Sequence, residues 1–271
     1  MPRRTAYIVV EGQHDVEFIG RILRKGTQAF HFQNAKSKVD PFWHELIPTS
    51  YPVAKPPNDF LSRVPMPIFY QNDTHTAAVQ SAEGVSMIAR RLEETLAVPG
   101  LTEPDAIGLI LDSDSQETPS RRAADLANEL ANKLAGAFPS MPGEIAQPTG
   151  SARSRRGVFV FPDNANQGSL EDLLLICGRT SYPDLLSLAD GHIRAVESQL
   201  VPGTPTWTQK DAQEFKAPSG AKKATIASVT AILKPGKTSQ VSVNDNRWIE
   251  STTLALREVK AVSDWLERLI L

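Results

Sequence analysis

Two stretches decide the fold: Tyr7-Ile8-Val9-Val10-Glu11-Gly12-Gln13-His14-Asp15 and, far downstream, Leu109-Ile110-Leu111-Asp112-Ser113-Asp114. In the first, a short apolar run rich in β-branched residues stops at Glu11. Val16, Ile19, Ile22 and Leu23 then recur at helical spacing, so the segment reads as strand, turn, helix. In the second, Ala106 to Leu111 is almost unbroken apolar sequence, as expected of a central strand covered on both faces. Val158 to Phe161 repeats that pattern.

Helical stripes fall between these runs. Val85, Ile88, Ala89, Leu92 and Leu96 share one face, and Ala127, Leu130, Ala131 and Leu134 share another. Thr118 and Pro119 supply an N-cap and a first helical position, and Ser169 can cap a helix through Leu173, Leu174 and Ile176. Ile68 to Tyr70 and Thr76 to Val79 read as parts of a strand or hairpin. Alternating strands and helices predict a Rossmann-like α/β fold, a mostly parallel sheet flanked by helices. The expected organisation is an α/β core over 1–176, with an inserted proline-rich segment near 33–67. A mostly helical region over 177–271 follows and packs on the core. It ends in an amphipathic segment with Leu254, Val259, Val262, Leu266 and Leu269.

Composition narrows the function classes. At 271 residues, 41% hydrophobic and 22% charged, the chain has the make-up of an ordinary globular protein. Its single cysteine, Cys177, excludes an intrachain disulfide and every metal site that needs several thiolates. The first apolar run is too short for a signal-peptide core or a membrane span, so a cytoplasmic location and no membrane partner are expected. The net charge of -2 gives no general polyanion-binding signature. Positive charge is local instead: six lysines, at 210, 216, 222, 223, 234 and 237, face only Asp211 and Glu214 in that stretch. His14, His31, His44, His75 and His192 lack zinc-ligand spacing; His14 lies beside Glu11 and Asp15 and could assist them, but reads first as an exposed turn residue. Gly236-Lys237-Thr238 lacks the leading glycine of a phosphate loop. Trp207, Trp248 and Trp265 read as core or interface residues rather than base-stacking platforms.

Acidic residues collect just after predicted strands: Glu11 with Asp15, Asp112 with Asp114, and Asp163 followed by Glu171 and Asp172. In an open parallel sheet the carboxyl ends of the strands line the ligand crevice, so residues distant in sequence can converge there. Period-two alternation sends Asp112 and Asp114 to one side of extended backbone. Oxygen ligands of this kind suit Mg2+ or Mn2+, which need a few carboxylates plus substrate phosphate oxygens. Glu171 and Asp172 also suit the first turn of a helix, where negative charge meets the helix dipole, and both readings stand. Arg153, Arg155 and Arg156 form a basic run that could grip a phosphate backbone or stay solvated.

The two opening stretches together resemble the TOPRIM superfamily of topoisomerases, primases and OLD-type nucleases. There a glutamate after the first strand and an Asp-x-Asp after a later one bind magnesium, and these positions match Glu11, Asp112 and Asp114. Gly157 to Leu174, Lys222 to Leu233 and Lys234-Pro-Gly also resemble a small TOPRIM-related family of bacteria and archaea with no characterised activity. Likeness to OLD-type nucleases implies further ligands at Asp15 and Glu171 and a late lysine, Lys222 or Lys223. Their ATPase domain has no counterpart here.

The resemblance implies a nuclease that uses Mg2+ or Mn2+ to hydrolyse phosphodiester bonds of DNA or RNA, in phage defence or RNA processing. Glu11, Asp112 and Asp114 would hold one ion, Asp15, Glu171 and Asp172, with Asp163 near, would help hold a second, and Lys223 would contact the scissile phosphate. Lys222, Lys223, Arg153, Arg155 and Arg156 are the expected nucleic-acid contacts. The alternative is a non-catalytic regulatory or nucleotide-binding module. A homodimer and a protein partner that supplies regulation remain open.

Overall fold

A computed structural model describes residues 2–26, 29–48, 66–113, 117–150, 153–200 and 212–271. Strand β1 (Arg4–Val10) leads through Gly12 into helix α1 (Gln13–Lys25). The β-branched run favours extended backbone, while Arg24 and Lys25 in the last turn of the helix complement its dipole. Next come β2 (His31–Gln33), β3 (Ile68–Gln71), β4 (His75–Ser81) and α2 (Ile88–Leu96). The strand-or-hairpin segment is an antiparallel pair, with Ile68 opposite Val79. β5 (Ala106–Asp112) precedes α3 (Pro119–Ala131), whose N-cap Thr118 accepts the Arg121 N–H. A two-residue strand, β6 (Ile145–Ala146), and β7 (Arg155–Phe161) complete the sheet before α4 (Leu170–Ser181).

The sheet has seven strands in the order β2-β3-β4-β1-β5-β7-β6. Its inner four, β4, β1, β5 and β7, are parallel, and the outer ones pair antiparallel. Alternation along β1 and β5 sends Tyr7, Val9, Ile107, Leu109 and Leu111 to a face covered by α2, α3 and Trp43. Ile8, Val10 and Ile110 go to the other face, under α1, α4 and the later helices. Both faces are therefore buried, which is why these strands read as continuous apolar runs.

The remaining helices are α5 (Pro183–Gln199), α6 (Gln213–Lys216), α7 (Gly220–Leu233), α8 (Ser239–Asp245), α9 (Ser251–Leu254) and α10 (Arg257–Ile270). The final amphipathic segment is thus two helices, broken where Leu256 is extended, and Leu254 belongs to the first of them. Helix α10 lies directly on β5 and β7 because Gly108 and Gly157, neighbours in the sheet, leave a notch for Trp265. A Cβ on Gly108 would lie 2.6 Å from the Leu269 side chain and 3.0 Å from the Trp265 ring. Trp248 and Trp265 are fully buried, whereas Trp207 lies outside the described residues. Among the described residues no helix is long and apolar enough to cross a membrane.

Candidate metal centre

The carboxyl ends of β1 and β5 lie side by side, with Val10 opposite Ile110. The Glu11 backbone is fixed from the β4 side, its carbonyl accepting the Gly84 N–H at 3.0 Å. One Glu11 carboxylate oxygen reaches across to within 3.5 Å of the Asp112 N–H. Asp15, at the third position of α1, turns back so that its Oδ2 accepts the Gly12 N–H at 2.6 Å. Asp112 Oδ1 accepts the Leu170 N–H at 2.9 Å, which ties the end of β5 to the first turn of α4. That turn carries Glu171, which is buried.

Electrostatics links the four carboxylates. Burial pushes Asp15 up to about 8, the Gly12 N–H opposes it, Glu11 and Glu171 add to the rise, and Lys223 draws it down. Burial also raises Asp112 well above the usual carboxylate range, with Asp15, Glu11 and Glu171 adding repulsion and the Leu170 N–H opposing. Negative charge is concentrated here beyond what the surroundings balance. Lys223 Nζ stands 3.9 Å from Glu171, and its side chain is 60% exposed, so its charged end remains open to solvent.

This donor set is all oxygen, and the raised Asp15 and Asp112 carboxyls hold protons that a hard divalent cation would displace on binding. Among the described residues no group of three or more His, Cys, Asp or Glu side chains is placed to hold a metal ion. The hydrogen bonds give a physical reason, since one oxygen of Asp15 and one of Asp112 are turned onto backbone N–H groups. Asp114 lies outside the described residues.

Other expected site residues separate from this cluster. Asp163 folds into its own turn, accepting the Ala165 and Asn166 N–H groups, and also pairs with Arg257. Burial pushes its carboxyl up, but the Asn166 and Ala165 bonds and Arg257 outweigh that and hold it below the usual range. Asp172 accepts the Ser169 N–H, and Lys222 Nζ lies 2.7 Å from Asp172 Oδ1 and 2.8 Å from Oδ2. Asp172 and Lys222 therefore neutralise each other at the start of α4.

The arginine run lies away from this cluster, and Arg156 is not free to grip a phosphate backbone. Arg155 and Arg156 begin β7, so about 20 Å of strand separates them from the carboxylate edge. The Arg156 side chain is only 4% exposed, pairs with Glu103 at 3.0 Å, donates to the Gly136 carbonyl and lies over the Phe138 ring. Arg155 donates to the Arg268 and Ile270 carbonyls at the end of α10. Arg153 lies on the same distant side, its backbone N–H directed to Glu103.

Sequence reasoning also misjudged His14. It occupies the first turn of α1 and is half-buried, not an exposed turn residue. Burial lowers its pKa, with Glu171 opposing and Lys223 adding, so it faces the same cluster.

Fold and site together define a class: an α/β protein whose mostly parallel sheet carries a cluster of partly buried acidic residues at its carboxyl edge. The chain belongs to the family described as Protein of unknown function (DUF3226), whose pattern matches residues 5–271. Among solved structures, it is similar to a hypothetical protein from Pyrococcus horikoshii OT3. The two share 15% identity over 98% of this chain and 95% of that one, with a TM-score of 0.46. A likeness that loose carries no argument about the site. No curated protein matches.

Proposed function

We propose that the crevice binds Mg2+ or Mn2+ and hydrolyses phosphodiester bonds of DNA or RNA, on a sheet that is TOPRIM-like. One observation carries the reading: Glu11, Asp15, Asp112 and Glu171, distant in sequence, converge at one sheet edge beside an open lysine. Glu11 and Asp112 would hold an ion, with Asp114 as the further ligand that the motif supplies, and Asp15 and Glu171 would extend the site. The ion would stabilise charge on the phosphate and make a bound water more acidic. Lys223 would then meet the phosphate oxygens from the solvent side.

Phage defence and RNA processing are the proposed settings. The test is cleavage of single- and double-stranded DNA and of RNA with Mn2+, with Mg2+ and with chelator. Asp112→Asn should slow cutting by about 100-fold or more. A variant that cuts as fast as its parent refutes the assignment, and metal binding without cleavage would make the crevice a regulatory site.

A further inference from the structure

The middle residue of Asp112-Ser113-Asp114 looks like a spacer in the sequence, yet Ser113 is fully buried. Its N–H donates to the Gly168 carbonyl at 3.1 Å. Its Oγ accepts the Gly168 N–H at 2.8 Å and lies 3.1 Å from the Gly168 carbonyl and 3.2 Å from that of Phe161, either of which can take its single proton. One side chain thus holds both ends of the connection between β7 and α4. Immediately beyond Gly168 come Ser169, Leu170, whose N–H meets Asp112, and Glu171.

Gly168 fits the same geometry. Its φ is +156°, and a Cβ there would stand 2.7 Å from Asp172 Oδ2 and 3.1 Å from Pro162 Cδ. A side chain there would press on Asp172 and Pro162, so the loop that Ser113 holds can pack this tightly only with glycine at its end.

We propose that Ser113 is a positioning residue: it clasps the loop before α4 and so fixes where that helix presents the Leu170 N–H and Glu171 to Asp112. Its effect on ion binding rests on the metal reading above, whereas the clasp itself does not. Partners that orient metal ligands typically change affinity 10- to 100-fold when removed. Ser113 acts one step further back, by setting the helix that carries a ligand.

The experiment compares Ser113→Ala with Leu126→Ala, which opens the core on the opposite face of the sheet. Amide exchange is read by NMR, Mn2+ affinity by calorimetry and stability by urea unfolding. In Ser113→Ala, Gly168 and Leu170 should exchange at least about tenfold faster relative to the rest of α4, and Mn2+ should bind about 10- to 100-fold more weakly. Leu126→Ala should lose stability and leave both site readouts near the parent's. Ser113→Cys keeps a weaker donor at similar reach, should fall between parent and alanine variant, and serves if the latter does not fold.

Unchanged Leu170 exchange in Ser113→Ala overturns the inference, as does an affinity loss no larger than that of Leu126→Ala. A parent that binds no Mn2+, or Asp112→Asn that binds it like the parent, overturns the metal reading instead. Leu170 exchange then decides the clasp alone.

Discussion

Replacing Asp15 by asparagine should make the metal-free protein more stable at alkaline pH, an unusual result for a change at a buried site. Burial, with Glu11 and Glu171, raises the Asp15 carboxyl from 3.8 to about 8. A folded-state pKa above the unfolded one means that the native protein keeps a proton the unfolded chain has released. The associated stability is fully present below the unfolded value and is lost as pH rises through the folded one. The gap of about 4 units, at about 1.36 kcal/mol each, sets a ceiling of about 5 kcal/mol. About 2 kcal/mol of this should disappear between roughly pH 6 and 8. Asparagine keeps an oxygen to accept the Gly12 N–H and carries no charge, so the variant should escape that loss. Urea unfolding of both proteins in chelator, from about pH 5 to 8, measures the difference. His14 has a lowered pKa and works in the opposite sense, gaining stability as pH rises toward its unfolded value, and it is present in both proteins. Saturating Mn2+ should favour the parent again, since only it offers the fourth carboxylate. A parent–variant difference that stays constant from pH 5 to 8 would refute the reasoning.

Gly108→Ala should press a methyl group into Leu269 and Trp265 and cost about 1 to 3 kcal/mol in urea unfolding. Arg156→Met should lose about 2 kcal/mol by stranding the half-open Glu103, while nucleic-acid binding in a gel-shift assay stays at the parent's level. Lys223→Met should leave stability within about 0.5 kcal/mol and slow cleavage about 100-fold, because the lysine is largely exposed and faces the crevice.

Strands buried on both faces were the most legible part of the fold, since the carboxyl halves of β1, β5 and β7 carry unbroken apolar runs. Short edges were not. β2 and β6 have three and two residues, too few to show a period of two. The acidic residues at strand ends were legible as a group because chain order and the crevice rule together bring Glu11 near Asp112. Local signals could not show where their neighbours turn: Asp163 stays in its own turn and Asp172 is taken by Lys222. A run of arginines looks basic in sequence wherever it falls. Only tertiary structure reveals that Arg156 lies over the Phe138 ring against Glu103, at the amino end of its strand. The same holds for Ser113, whose partners lie beyond the next strand.

The notch formed by Gly108 and Gly157 has a consequence for the order of folding. Both strands are synthesised long before the tryptophan that fills it, so during translation this side of the sheet has no helix α10 to cover it. Until α10 arrives, β5 and β7 expose bare backbone and apolar neighbours to whatever else is in solution. Closure of this notch therefore waits on α10, about a hundred residues after β7.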